Sequence, residues 1–250
     1  MNKLIVIVFI LWTILFSCET QNPCVILVDG IYQFPELPEN HNMTSLEVYE
    51  FWDLPEVICD CIKTEGLIET CLKYPDLRII LAGTNPQSGY NSLLRSRFRG
   101  IRELETRQDR STYLLKKYLT IDPHGYDPTW DPVDIGAYNF NIYFLEIIFS
   151  QYANLKPLTN EEKIELIDKA IIIYDKMKLD LEQYSLFGLE CTATLMGRLM
   201  YADEYKEMVD LYSNNDLVLE LIEFYGPTSL ETVDIIYDTS LKYLKQLKDG

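Results

Sequence analysis

Six arginines crowd one short stretch of the chain: Arg95, Arg97, Arg99, Arg102, Arg107 and Arg110. On a continuous helix, Arg95, Arg99 and Arg102 fall at i, i+4 and i+7. Their guanidinium forks would then share one face able to grip phosphate or carboxylate groups. These three are the candidate anion-binding residues. Glu103, Glu105 and Asp109 stand beside them and acidic stretches flank them, so the balance of charge predicts a structural cluster more than a ligand site.

Asp122, His124, Asp127, Asp131 and Asp134 could gather oxygen ligands for calcium. However, prolines at 123, 128 and 132 hold that segment extended, and the spacing of an EF-hand loop is missing. Turn and capping chemistry explains these aspartates more simply. His41 and His124 are the only histidines, and G-x-S-x-G, H-E-x-x-H and Gly-rich phosphate loops are all absent from the sequence. A pair of carboxylates working on carbohydrate needs no motif and stays open on composition alone.

Cys59, Cys61 and Cys71 lack the paired C-x-x-C spacing of a zinc site. No metal and no cofactor is expected, and the chain is read as not an enzyme. The 18 tyrosines, with Trp52 and Trp130, suit either a helical core or a recognition surface.

The chain of 250 residues carries 22 basic and 39 acidic side chains, net -17. That balance argues against a nucleic-acid partner, which requires phosphate neutralisation. Charge is also uneven: residues 78–117 hold 9 basic and 3 acidic side chains, whereas residues 118–250 hold 10 and 24.

The first residues have the pattern of an export signal. Lys3 is followed by Leu4 to Phe16, apolar except for Thr13, and then by Ser17 and Cys18. This run is shorter than the roughly 18 apolar residues a membrane span needs. The string LFSC, Leu15 to Cys18, resembles the lipobox of bacterial lipoproteins, with Phe16 where those proteins carry a small residue. The resemblance implies a signal peptide over 1–17, a lipid such as palmitate on Cys18, and a membrane address in the bacterial cell envelope, periplasmic or surface-exposed. Five cysteines then remain, Cys24, Cys59, Cys61, Cys71 and Cys191, so at least one is unpaired and a disulfide-stapled scaffold is not expected.

Residues 18–45, with Pro23, Pro35 and Pro38, are read as anchor and extended tether, and 46–250 as the domain, with a possible subdivision at the 122–133 loop. Helical signals fill that domain. Asp53-Leu54-Pro55-Glu56 has the form of a capping box, Thr64 and Asp109 are candidate caps, and Thr159-Asn160-Glu161-Glu162 is a second box. Ile164, Ile167, Ile171 and Tyr174 form an apolar stripe, as do Tyr184, Cys191, Leu195 and Leu199, and then Val233, Tyr237, Leu241 and Leu244. Strand alternation is lacking. The predicted class is all-α, an irregular stack or bundle of about eight to ten helices.

The strings LPEVI, TEGLIETCLKYP and GIRELETRQDRSTYLLKKY, between Leu54 and Tyr118, are similar to a group of helical lipoproteins of Bacteroidetes-type bacteria. That resemblance implies an exported all-helical domain and brings no activity. The functional expectation is a non-catalytic envelope lipoprotein that binds or scaffolds another protein through an acidic helical surface. An immunity-type inhibitor of a basic secreted toxin and a carbohydrate-active envelope enzyme are the alternatives.

Overall fold

The computed structural model describes residues 23–39, 41–226 and 228–249. The export signal over 1–17 and the lipidation residue Cys18 lie outside the described residues.

Helix dominates. A two-residue hairpin, β1 (Leu27–Val28) and β2 (Ile31–Tyr32), precedes α1 (Ser45–Trp52), α2 (Glu56–Cys59) and α3 (Thr64–Leu72). A 3-10 turn, Leu77–Ala82, leads into one helical stretch, α4, built from Pro86–Ser88, a π turn at Gly89–Leu94 and Arg95–Arg97. Then come α5 (Arg99–Thr106) and α6 (Arg110–Leu119), followed after a loop by α7 (Pro132–Phe149), α8 (Tyr152–Leu155), α9 (Asn160–Leu179), α10 (Leu181–Ala202), α11 (Lys206–Asn214), α12 (Asp216–Phe224) and α13 (Leu230–Asp249). The all-α class holds, with slightly more helices than expected because several in the first half are single turns.

Helix α10 is the centre. Every residue from Gly188 to Met200 is buried, so this helix is wrapped on all sides, with α7, α8, α9, α11, α12 and α13 packed around it. Gly197 lets α12 approach closely, because a Cβ there would collide with the Ile222 side chain. Buried residues on both sides of the 120–131 loop join one core.

The caps follow local chemistry. Thr159 accepts from the Glu162 amide and the Glu162 carboxylate accepts from the Thr159 amide at 2.9 Å, the expected box. A further box, Thr44 with Glu47, starts α1. The box expected at Asp53 does not form. Leu54 precedes a proline and is pushed out of the helical region, so α2 starts only after Pro55, and Asp53 instead accepts from the amides of Leu54 at 3.0 Å and Arg99 at 2.5 Å. Thr64 is not a cap either; it is the first helical residue, and its hydroxyl donates to Asp109 at 2.7 Å. That bond occupies Asp109, which makes no side-chain cap on α6.

Two apolar stripes keep most of their predicted register: Ile167, Tyr174 and Val233 are buried, and Ile171, Tyr237 and Leu244 pack partly buried against the core. On α9 the buried residues are Leu166, Ile167, Ala170, Ile173, Tyr174 and Met177, while Ile172 is exposed. On α13 Val233, Ile236 and Tyr243 are buried and Leu241 is exposed. Isoleucine lies on several faces of α9, so packing between α10 and α13 selects the inner face.

The segment read as tether is partly built into the domain. Cys24 is bridged to Cys61, the Tyr32 amide donates to Thr70 Oγ1 at 3.1 Å, and Trp52 Nε1 donates to the Pro35 carbonyl at 3.1 Å. Gly66 makes room for this: a Cβ there would run into the Gly30 carbonyl. No described helix is long and apolar enough to cross a membrane.

Candidate binding site

Arg95, Arg99 and Arg102 do not share a helix. The chain turns extended at Phe98 (φ -108°, ψ 113°), which ends α4 and starts α5, so the i, i+4, i+7 register is broken. Each guanidinium has protein partners. Arg95 Nε donates to both Glu105 carboxylate oxygens, at 2.8 and 2.7 Å. Arg99 donates to the Leu54 carbonyl at 2.8 Å, and Arg102 to the carbonyls of Arg95 and Ser96, both at 3.0 Å. Arg107 reaches the Cys59 carbonyl, Arg110 reaches Asn154 and the Ala153 carbonyl, and Arg97 lies over the Tyr49 ring.

The aspartate loop is turn chemistry. Asp122 accepts from the His124 amide and from Lys176, Asp127 from the Thr129 amide and hydroxyl, and Asp131 caps α7 through the amides of Val133 and Asp134. Lys176 and the amide of His124 hold the Asp122 carboxyl below its usual range. Cys59, Cys71 and Cys191 are buried thiols and Cys61 is in the bridge. Burial drives the Cys191 thiol well up, away from the reactive thiolate form. Among the described residues no group of three His, Cys, Asp or Glu is placed to hold a metal ion.

Glu146 is the acid with the largest departure from ordinary carboxylate behaviour. It sits fully buried on α7 and accepts from Tyr118 and Thr192, both at 2.8 Å, while its Oε2 has no partner. Burial pushes its pKa up to about 8 against those two bonds. Its side chain is closed off from solvent at 0% exposure.

A cleft of about 590 Å³ opens between α8, the end of α10 and the start of α11, lined by Tyr152, Lys156, Tyr201, Ala202, Glu204, Lys206 and Val209. Its aromatic wall is held in place from behind. Glu223 accepts from Tyr152 at 3.3 Å and from Tyr212 at 2.9 Å; the Tyr212 ring lies 4.3 Å from that of Tyr201, centre to centre. Arg198, buried and donating to the carbonyls of Ile222 and Glu223, faces the Tyr152 ring at 5.7 Å and the Tyr225 ring at 4.8 Å. Burial and the Glu223 carboxylate raise the Tyr212 hydroxyl to about 12, so it stays a donor at physiological pH. Glu204 turns the chain at φ 55°, an uncommon conformation for a non-glycine residue, and brings Tyr201 and Lys206 to the same opening.

These cleft residues are missed by reasoning from sequence. Tyr152 and Lys156 stand about fifty positions from Tyr201 and Lys206, and no local motif links them; the abundance of tyrosine was the one available signal. Set beside family models, curated proteins and solved structures, the chain matches none.

Proposed function

We propose that this protein is a non-catalytic binding lipoprotein of the bacterial envelope, anchored through Cys18, whose acidic helical surface engages a basic protein partner. The observation that carries the proposal is the outer face of α12. Leu217 and Phe224, 48% and 43% exposed, lie two turns apart on that face, with exposed Asp216 and Glu220 beside them. Apolar anchors rimmed by one sign of charge suit a protein interface, where the charge steers encounter and the apolar contacts hold the complex. A resident envelope protein and a basic secreted toxin would both meet this face. The sealed position of Glu146 and the turn and capping roles of the loop aspartates favour binding over catalysis.

Cross-linking of the full chain in envelope preparations tests this. A discrete complex should form at low salt, weaken at high salt, and be lost in Leu217→Glu/Phe224→Glu. A complex indifferent to both changes would overturn the assignment of this face. Cys18→Ser should abolish lipid labelling and release the protein from the membrane fraction; unchanged labelling would overturn the anchor.

A further inference from the structure

In the strongly acidic second half of the chain most lysines are matched to a carboxylate. Lys163 pairs with Asp203, Lys176 with Asp122, Lys178 with Asp234, Lys242 with Glu207 and Lys248 with Asp168. Among the described residues Lys156, Lys169, Lys206 and Lys245 have no such pair, and of these Lys156 and Lys206 share one opening. Neither makes an ion pair with any described residue, and both stand at the mouth of the tyrosine-lined cleft. Within the acidic second half, two ammonium groups outside any ion pair at one opening make a local excess of positive charge, with Glu204 the one carboxylate in its lining.

The cleft also has the two other elements of a small-molecule site. Its aromatic walls are pre-positioned, since Glu223 fixes the hydroxyls of Tyr152 and Tyr212, and Arg198 and Tyr212 back the rings of Tyr152 and Tyr201. Glu204 adds an acceptor among the lysines. Ring faces that pack on C–H surfaces, cations for an acidic group and a carboxylate for hydroxyls together select one ligand class. We propose that this cleft binds an acidic saccharide, a sugar ring carrying a carboxylate or a phosphate, either as a free sugar or as the end of an anionic glycan chain. Its volume lies within the roughly 300–1,000 Å³ of ordinary ligand sites and has room for one or two sugar rings. The proposal does not rest on the α12 face.

Calorimetric titration of the full chain in detergent with glucuronate, glucose 6-phosphate, a galacturonate trimer, glucose and inorganic phosphate tests it. At least one acidic saccharide should bind saturably, and glucose and inorganic phosphate should bind at least tenfold more weakly. Binding of the monosaccharides identifies the free sugar as the source, and binding of the trimer alone identifies the glycan end. Lys156→Gln/Lys206→Gln should weaken binding at least tenfold, and Ala202→Trp, which fills the cleft, should remove it. The charge-matched Lys245→Gln/Lys248→Gln should bind as the wild type does. Circular dichroism melts establish that each variant is folded. Lack of binding by every acidic saccharide, inorganic phosphate binding as tightly as glucose 6-phosphate, or affinity unchanged in the folded double-lysine variant would each overturn the proposal, whatever the outcome for the α12 face.

Discussion

Residues 23–121 and 132–249 solve the same problem, the pairing of polar groups at and beneath the surface, with different side chains. The first region is built from short helices joined by sharp turns. Every helix end leaves carbonyls without an intrahelical partner, and arginines meet them: Arg102 at Arg95 and Ser96, Arg107 at Cys59, Arg110 at Arg107 and Ala153, while Arg99 serves the Leu54 carbonyl in the turn between α1 and α2. The second region has long helices and fewer ends. There tyrosine hydroxyls donating to carboxylates are the commoner device, as in Tyr174 with Asp234, Tyr243 with Asp203, and Tyr152 and Tyr212 with Glu223, whereas the first region contributes Tyr90 with Glu105 and Tyr118 with Glu146. The exception supports the rule, because the buried Arg198 serves the carbonyls that end α12. Arginine density therefore tracks helix ends, and it explains a basic island inside an acidic chain without invoking a ligand.

The strongest test of this contrast is the covalent tie that only the first region has. The Cys24–Cys61 bridge closes a loop of sequence separation 37, and removing such a constraint costs about 4 kcal/mol on the chain-entropy account. Cys61→Ser should lower the urea midpoint by a corresponding amount, and reductant should do the same to the wild type while leaving the variant unmoved. A loss below about 1 kcal/mol, within the range of many ordinary surface contacts, would show that the Gly66 contact and the Tyr32–Thr70 bond hold the hairpin without the bridge.

A smaller effect is expected from Arg95→Gln/Arg99→Gln/Arg102→Gln. Arg95 with Glu105 is a partly exposed pair worth about 0–1 kcal/mol, and bonds from a charged donor to a carbonyl contribute roughly 1.5–3 kcal/mol. The two Arg102 bonds are exposed to solvent and add little, so a combined loss of about 2–3 kcal/mol follows, most of it from the part-buried Arg99 bond. Most of it should persist at high salt, since bonds to carbonyls are screened less than exposed ion pairs. If phosphate raised the wild-type melting temperature well beyond a chloride control and left the triple variant unmoved, the helix-end account of this region would fail.

The same contrast explains what could be read from sequence. Helix class, the Thr159 box and the loop ending at Pro132 are written in local patterns, and the structure carries them. The Arg95, Arg99 and Arg102 face was misplaced because Phe98 interrupts the helix, and Phe98 adopts its extended conformation under tertiary packing at 0% exposure. The stripes of α9 and α13 are carried in large part, and Leu241 alone of the predicted residues is exposed, because apolar residues occur on more than one side of each helix and only their neighbours choose which are sealed. The Cys24–Cys61 pairing and the Tyr152–Tyr201 cleft join positions far apart in the chain, and no spacing rule connects them.

The last prediction concerns the one carboxylate that tyrosine pairing leaves half satisfied. Glu146 accepts from Tyr118 and Thr192 through one oxygen, and its second oxygen is buried without a partner. An isolated carboxylate there is poorly solvated, so burial raises the pKa to about 8 from an ordinary value of 4.5. Between those values the folded protein holds a proton that the unfolded chain has released. The stabilising contribution is therefore complete below about pH 4.5 and is lost as pH rises toward 8, with a slope of about 1.4 kcal/mol per pH unit. Glu190, also raised by burial and opposed by the Thr228 amide, contributes in the same direction. Urea unfolding of the wild type should show stability falling between pH 6 and pH 7. Glu146→Gln keeps the acceptor for Tyr118 and Thr192 but cannot ionise, so its profile should be flatter across that interval. A variant as steep as the wild type would mean that water reaches Glu146, and that this half of the molecule is less tightly sealed than its long helices imply.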